Sequence, residues 1–178
     1  MSCIQKLSNL VWELRFWSIA SQTAHWRVFG PTSYSDHTLY GQIYEKLSDL
    51  LDPLAERLTA MAQFDDEKYV DPLQQAKYVY SRMKTLGPPL KEALLSADST
   101  SLFFYQELLS LSRKFRRLSS SLKKEGMLTL GLEDLLATTA NEIEILVFFL
   151  ERRSQSSAAV PSSPPGPVPM FPPHFFSY

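Results

Sequence analysis

Two imidazoles and two carboxylates are the side chains of this sequence best suited to chemistry. His25 and His37 stand twelve residues apart, in the run His25-Trp26-Arg27-Val28-Phe29-Gly30-Pro31 followed by His37, and Asp52 and Glu56 come later, one helical turn apart. Together they make a mixed nitrogen and oxygen donor set. Such a set suits iron, manganese or zinc, and it lacks the soft sulfur that selects copper(I) or an iron–sulfur cluster. The four groups make a metal centre only if they meet in space. Taken singly, each has an ordinary structural reading: His25 as a cation near a helix C-terminus, His37 as a first-turn surface residue, the two acids as a solvated helix face.

The elements that must position them are helices. Apolar residues recur at helical spacing over most of residues 5–153, and strand signals are almost absent. The pattern predicts a first helix over about residues 7–28, stopped by Gly30-Pro31. A second is expected to start at Ser35-Asp36, which can cap its N-terminus, and to run to about residue 63. A short helix over 71–84 has Pro72 in its first turn, where proline is tolerated, and Gly87-Pro88-Pro89 is expected to break the pattern after it. Third and fourth long helices follow over about 101–124 and 132–153. The fold class read from this is all-α, a four-helix bundle with a short helix in the long crossover between the second and third long helices. Residues 154–178 contain seven of the twelve prolines and no Asp, Glu, Lys or Arg, and are expected to form an extended Pro- and aromatic-rich tail after a domain of residues 1–153.

The second helix has two faces. Leu39, Ile43, Leu47, Leu50, Leu54 and Leu58 form one continuous apolar stripe, and His37, Gly41, Glu45, Asp49, Asp52 and Glu56 form another of polar character. At 100° per residue, Ile43 and Glu45 point about 200° apart, so the donor stripe faces away from the core. A metal site inside a bundle uses Glu-x-x-His pairs pointing inward. No Glu of this chain has a His three residues later. Outward-facing donors need a second surface to close the site, and a two-fold partner subunit supplies one.

Composition narrows the class further. At 178 residues, with 44% hydrophobic and 21% charged residues, the chain is one domain of globular composition. A formal net charge of −1 argues against a surface that generally seeks nucleic acid or membrane. Cys3 is the sole cysteine, which excludes an intramolecular disulfide and a thiolate cluster. No apolar run approaches the roughly 20 residues of a membrane span. The N-terminus has no signal-peptide pattern, and a cytoplasmic location is the expectation.

The residues His25-Trp26, Gly30-Pro31, His37, Asp52 and Ala55-Glu56-Arg57 resemble the Dps-type mini-ferritins, DNA-binding proteins from starved cells within the ferritin-like superfamily. The resemblance is specific over about residues 7–60, weaker to Arg153 and absent from the tail. It implies a ferroxidase centre between subunits, with His25 and His37 from one chain and Asp52 and Glu56 from its two-fold mate. Trp26 matches the family tryptophan beside that centre. It further implies a homo-oligomer, a hollow dodecamer, that oxidises iron(II) with hydrogen peroxide or more slowly dioxygen and stores ferric mineral, protecting against peroxide and iron toxicity. Glu45 and Asp49 extend the carboxylate stripe toward an outer role in guiding iron.

Some positions depart from the family. Gly41 stands where an acidic residue is common, which bears on the hydrogen bonding around the metal. Pro53 follows Asp52 directly and is expected to kink the second helix, because its ring clashes with the Asp49 carbonyl. Phe148 and Phe149 stand in the terminal pattern where Trp is common and are expected to pack in the core. Direct DNA binding has one candidate surface, the cations Arg113, Lys114, Arg116, Arg117, Lys123 and Lys124 on the third long helix. The tail, with Phe171, Phe175, Phe176 and Tyr178 among its prolines, reads as a docking peptide for a protein partner, and His174 is a poor metal-ligand candidate. The rival readings are therefore an assembly protein acting through its tail and a DNA-compacting protein.

Overall fold

The computed structural model describes residues 2–62 and 71–158. Among these residues all regular structure is helical, in five elements: α1 Cys3–Arg27, α2 Ser33–Ala62, α3 Pro72–Ala93, α4 Ala97–Lys124 and α5 Leu130–Ala158. The all-α class read from the apolar periodicity holds, and among the described residues no helix is long and apolar enough to cross a membrane.

Local chemistry sets the helix starts. The Ser2 side chain caps α1 by accepting from the Gln5 N–H, and Ser96 caps α4 by accepting from the Ser99 N–H. Asp71 accepts from the Leu73 N–H, with Pro72 at the first helical position. Positive backbone φ at Gly30 and Gly126 ends the approach to the α1–α2 turn and the exit from α4, a conformation that costs glycine little.

Packing follows the apolar stripes. α1 pairs with α2 and α4 with α5; these pairs meet through α1 against α4 and α2 against α5, while α3 lies on α1 and α4. Trp17, Phe16, Tyr40, Phe104 and Phe115 fill the interior together with leucines of α1, α2 and α4. The rings of Trp17 and Phe104 meet edge-on at 5.7 Å, and Tyr40 lies 5.3 Å from Phe104. In α2 the predicted apolar stripe is buried or half-buried throughout.

One proline expectation comes out differently. Gly87-Pro88-Pro89 does not break the chain: α3 is a 22-residue helix that runs through it. The two missing N–H groups leave the Lys84 and Thr85 carbonyls without helical donors, but both residues are exposed and water can serve them. Burial of Leu90, Ala93 and Leu94 beyond the prolines holds the last turns in place. The helix expected to be short after Pro72 is therefore long. α2 likewise continues on both sides of Pro53, which sits on its exposed face.

α5 also departs from its expected end. It continues through residues 154–158, which the sequence pattern assigned to the tail. Phe148 and Phe149 are not core residues: they are 49% and 46% exposed on its outer face, while Leu146, Val147 and Leu150 point inward. Tail residues 159–178, including His174 and its aromatics, lie outside the described residues, as does Gln63.

Candidate metal centre

His25 leaves the last turn of α1 and His37 the first turns of α2, on the two sides of the Gly30-Pro31 turn. That turn brings them face to face, with ring centroids 3.7 Å apart and planes inclined by 28°. The hydrogen bonding is reciprocal. His25 Nδ1 lies 2.8 Å from the His37 carbonyl oxygen, and His37 Nδ1 lies 3.0 Å from the His25 carbonyl oxygen. A carbonyl only accepts, so each Nδ1 carries the proton and donates it. In the neutral imidazoles this leaves the lone pair on Nε2 of both rings, the tautomer a metal ligand needs.

The surroundings fix His25 further. The Tyr44 ring meets it edge-on at 5.4 Å. A β-carbon on Gly41 would stand 3.3 Å from both Cε1 and Nδ1 of His25. Gly41 is buried for this reason, although it belongs by spacing to the exposed donor stripe.

Stacking limits what the pair can bind. Each lone pair lies in its own ring plane, and planes this close to parallel meet only well beyond the reach of a metal–imidazole bond, about 2.1 Å. The pair is therefore no chelate for one ion. Any ion held here would take a nitrogen from one ring only.

The carboxylates stand elsewhere on the same helix. Fifteen residues separate His37 from Asp52 within α2, which at 1.5 Å per residue is about 22 Å. The two sets cannot meet within one chain. Accordingly, among the described residues no three His, Cys, Asp or Glu side chains converge. Asp52 and Glu56 are exposed on the outer face with Glu45 and Asp49. Tyr44 donates a long bond of 3.4 Å to Glu45, and no side chain of the described residues pairs with Asp52 or Glu56. Glu56 borders an open groove between α2 and α5, lined also by Pro53, Arg57, Asp134, Leu135 and Thr138. Trp26, beside the histidine pair, is 69% exposed, and Phe29 and Tyr34 are exposed near it.

Two buried ion-pair networks escaped the sequence reading. Asp36, read there as a cap, is 1% exposed and receives two hydrogen bonds from Arg153 of α5, at 2.6 and 3.1 Å, and one from Thr32 at 2.7 Å. Arg153 also donates to Asp98 of α4 at 3.1 Å. The bond to Asp36 above all holds its guanidinium pKa above the ordinary value. The second is Glu13, buried in α1, which pairs with Arg82 of α3 at 2.8 Å and Lys114 of α4 at 2.6 Å. Its signal was available: a lone acid amid Val11, Trp12, Leu14 and Phe16. Gly41, already marked in the sequence by the missing acid, owes its place to its contact with His25 of α1. Of the six α4 cations, Lys114 is taken by Glu13 and Arg116 pairs with Glu144 at 2.6 Å.

Comparison with protein-family models, with curated proteins and with solved structures finds no match for this chain.

Proposed function

We propose that this chain is a Dps-type mini-ferritin with a ferritin-like four-helix bundle, which oxidises iron(II) at centres shared between two-fold-related subunits and retains the ferric product. The observation that carries the reading is the reciprocal His25–His37 lock. It spends both Nδ1 protons on backbone carbonyls and turns two Nε2 lone pairs to separate ions, while the carboxylates that would complete the centre lie about 22 Å along the same helix. A mate supplying Asp52 and Glu56 closes the site, and the exposed Trp26, Phe29 and Tyr34 are the apolar surface such a mate would cover.

The chemistry balances with iron as substrate. Two iron(II) ions give up one electron each, and hydrogen peroxide accepts both as its O–O bond breaks, its oxygens leaving as water or hydroxide. Pairing the electrons avoids release of hydroxyl radical. Carboxylates favour the harder iron(III) product, and the assembly would be a hollow homo-oligomer, a dodecamer, in the cytoplasm. DNA compaction is the weaker reading, since two of the six α4 cations already serve buried or half-buried acids.

The test is direct. Purified protein given iron(II) and peroxide should form ferric mineral, and His25→Ala or Asp52→Ala should slow the oxidation at least tenfold, in line with loss of a first ligand. Equal rates in the wild type and both variants would remove the centre from consideration.

A further inference from the structure

We propose that the cavity between α1, α3 and α4 is a binding site for a small amphipathic organic anion, a carboxylate carried on an apolar body. The inference is independent of the iron reading, since none of His25, His37, Asp52 and Glu56 lines this cavity.

The cavity measures about 330 Å³, within the size range of small-molecule pockets. Its two long walls are α1 and α4, which run in opposite directions. Glu13 meets Lys114 at 2.6 Å toward one end, and Cys3 interacts with Glu125 toward the other. From Lys6 to Glu13 the α1 wall extends seven residues, about 10 Å. Buried leucines make the floor: Leu10 of α1 is 6% exposed and Leu118 of α4 is 3% exposed. Tyr78 of α3 forms the third side.

The charges of the lining are unevenly used. Glu13 is its single acid, and that carboxylate is already paired with Arg82 and Lys114. Lys6 and Arg117 line the same cavity, and no acid among the described residues pairs with either of them. The Tyr78 hydroxyl is pushed up to about 12, mainly by burial, so the third side stays neutral. A chain whose formal net charge is −1 thus places two uncompensated cations over an apolar floor. That combination takes an anion with an apolar body. A guanidinium matches a carboxylate through two parallel hydrogen bonds, Lys6 supplies a second positive charge, and the leucines take up the body. A bare inorganic anion uses only the cations, and a neutral apolar compound uses only the floor.

Octanoate is the probe, with acetate as the control lacking the body and octanol as the control lacking the charge. Calorimetric titration of the full chain should show saturable octanoate binding, tighter than that of either control by about tenfold or more. In leucine-methyl NMR spectra the same titration should shift Leu10 and Leu118. Arg117 is exposed and Lys6 half-buried, so Arg117→Gln and Lys6→Gln leave the packed core intact. Each should weaken octanoate binding about tenfold, through loss of one charge-assisted contact. Arg113→Gln removes an exposed α4 cation that does not line the cavity, and it should leave the affinity unchanged. The proposal would be overturned by absence of saturable binding, by octanol binding as tightly as octanoate, by methyl shifts confined to other leucines, or by an equal loss in Arg113→Gln.

Discussion

The imidazole of His25 lies directly on Gly41, with two of its ring atoms 3.3 Å from where a β-carbon would stand. This contact explains why a glycine occupies a helical position whose neighbours on the stripe are acids. His25 fills the space a side chain would take, and in that position it reaches the His37 carbonyl at 2.8 Å. The lock between the histidines and the absence of a side chain at position 41 are one arrangement.

Gly41→Ala should therefore disturb the half-site while improving the helix. A Cβ contact of 3.3 Å is tighter than ordinary van der Waals contact, so the ring must yield by a few tenths of an ångström. Alanine itself favours the helix over glycine by about 0.8–1.0 kcal/mol. The expected result is a fold at least as stable as the wild type, with metal affinity lowered roughly 10-fold or more, as for other changes around a ligand. Calorimetric titration with cobalt(II) reads the affinity, and unchanged binding would show that the ring position is not critical.

Mixing variants tests the division of the centre between chains. With the centre shared as proposed, His25→Ala and Asp52→Ala would each remove every centre from their own homodimer. A mixed dimer keeps one intact centre, built from the unmutated His25 of one chain and the unmutated Asp52 of the other. Random mixing should restore about one quarter of wild-type oxidation capacity. No recovery after co-refolding would mean that the two residues do not serve a common site.

The helices were legible because burial leaves a periodic trace, and the outward face of α2 was legible for the same reason. Exposure of Glu45, Asp49, Asp52 and Glu56 follows directly from their spacing against Ile43, Leu47, Leu54 and Leu58. What escaped were contacts between segments distant in sequence. Glu13 finds its cations 69 and 101 residues away, and Asp36 finds Arg153 at a separation of 117. Tertiary packing also overrode local preference in α3, where buried Leu90 and Leu94 carry the helix past Pro88 and Pro89. On α5, a run of six apolar residues, Ile145 to Leu150, does not tell which of them faces out; the structure turns Phe148 and Phe149 to the surface. The stacking of His25 on His37 depends on how one turn folds, and no spacing rule predicts it.

Glu13 holds α3 to the rest of the molecule. Its carboxylate is 5% exposed and bonded to both Arg82 and Lys114. Glu13→Ala leaves two cations without a partner, and breaking a buried pair in this way costs about 3–5 kcal/mol. Lys114 is partly exposed and can turn to water, which puts the expected loss near the lower end. Glu13→Gln keeps an acceptor and should lose less. Urea unfolding followed by circular dichroism measures both, and a Glu13→Ala midpoint equal to that of the wild type would contradict the pinning role.

Alkaline stability should reveal the same junction from its tyrosine. Burial pushes the Tyr78 hydroxyl up to about 12, and the adjacent Glu13 carboxylate adds to the rise while Arg82 opposes it. Tyr78 also donates a long bond of 3.4 Å to Glu13. An unfolded tyrosine titrates near 10. Because the folded value is the higher one, the stabilising contribution is complete below about pH 10 and is lost as pH rises toward about 12. Wild-type stability should accordingly fall across that interval, and Tyr78→Phe should fall less steeply, with Tyr40, also raised mainly by burial, accounting for part of what remains. Chemical unfolding at a series of pH values gives both slopes. A variant slope equal to or steeper than that of the wild type would show that Tyr78 is not held protonated by this junction.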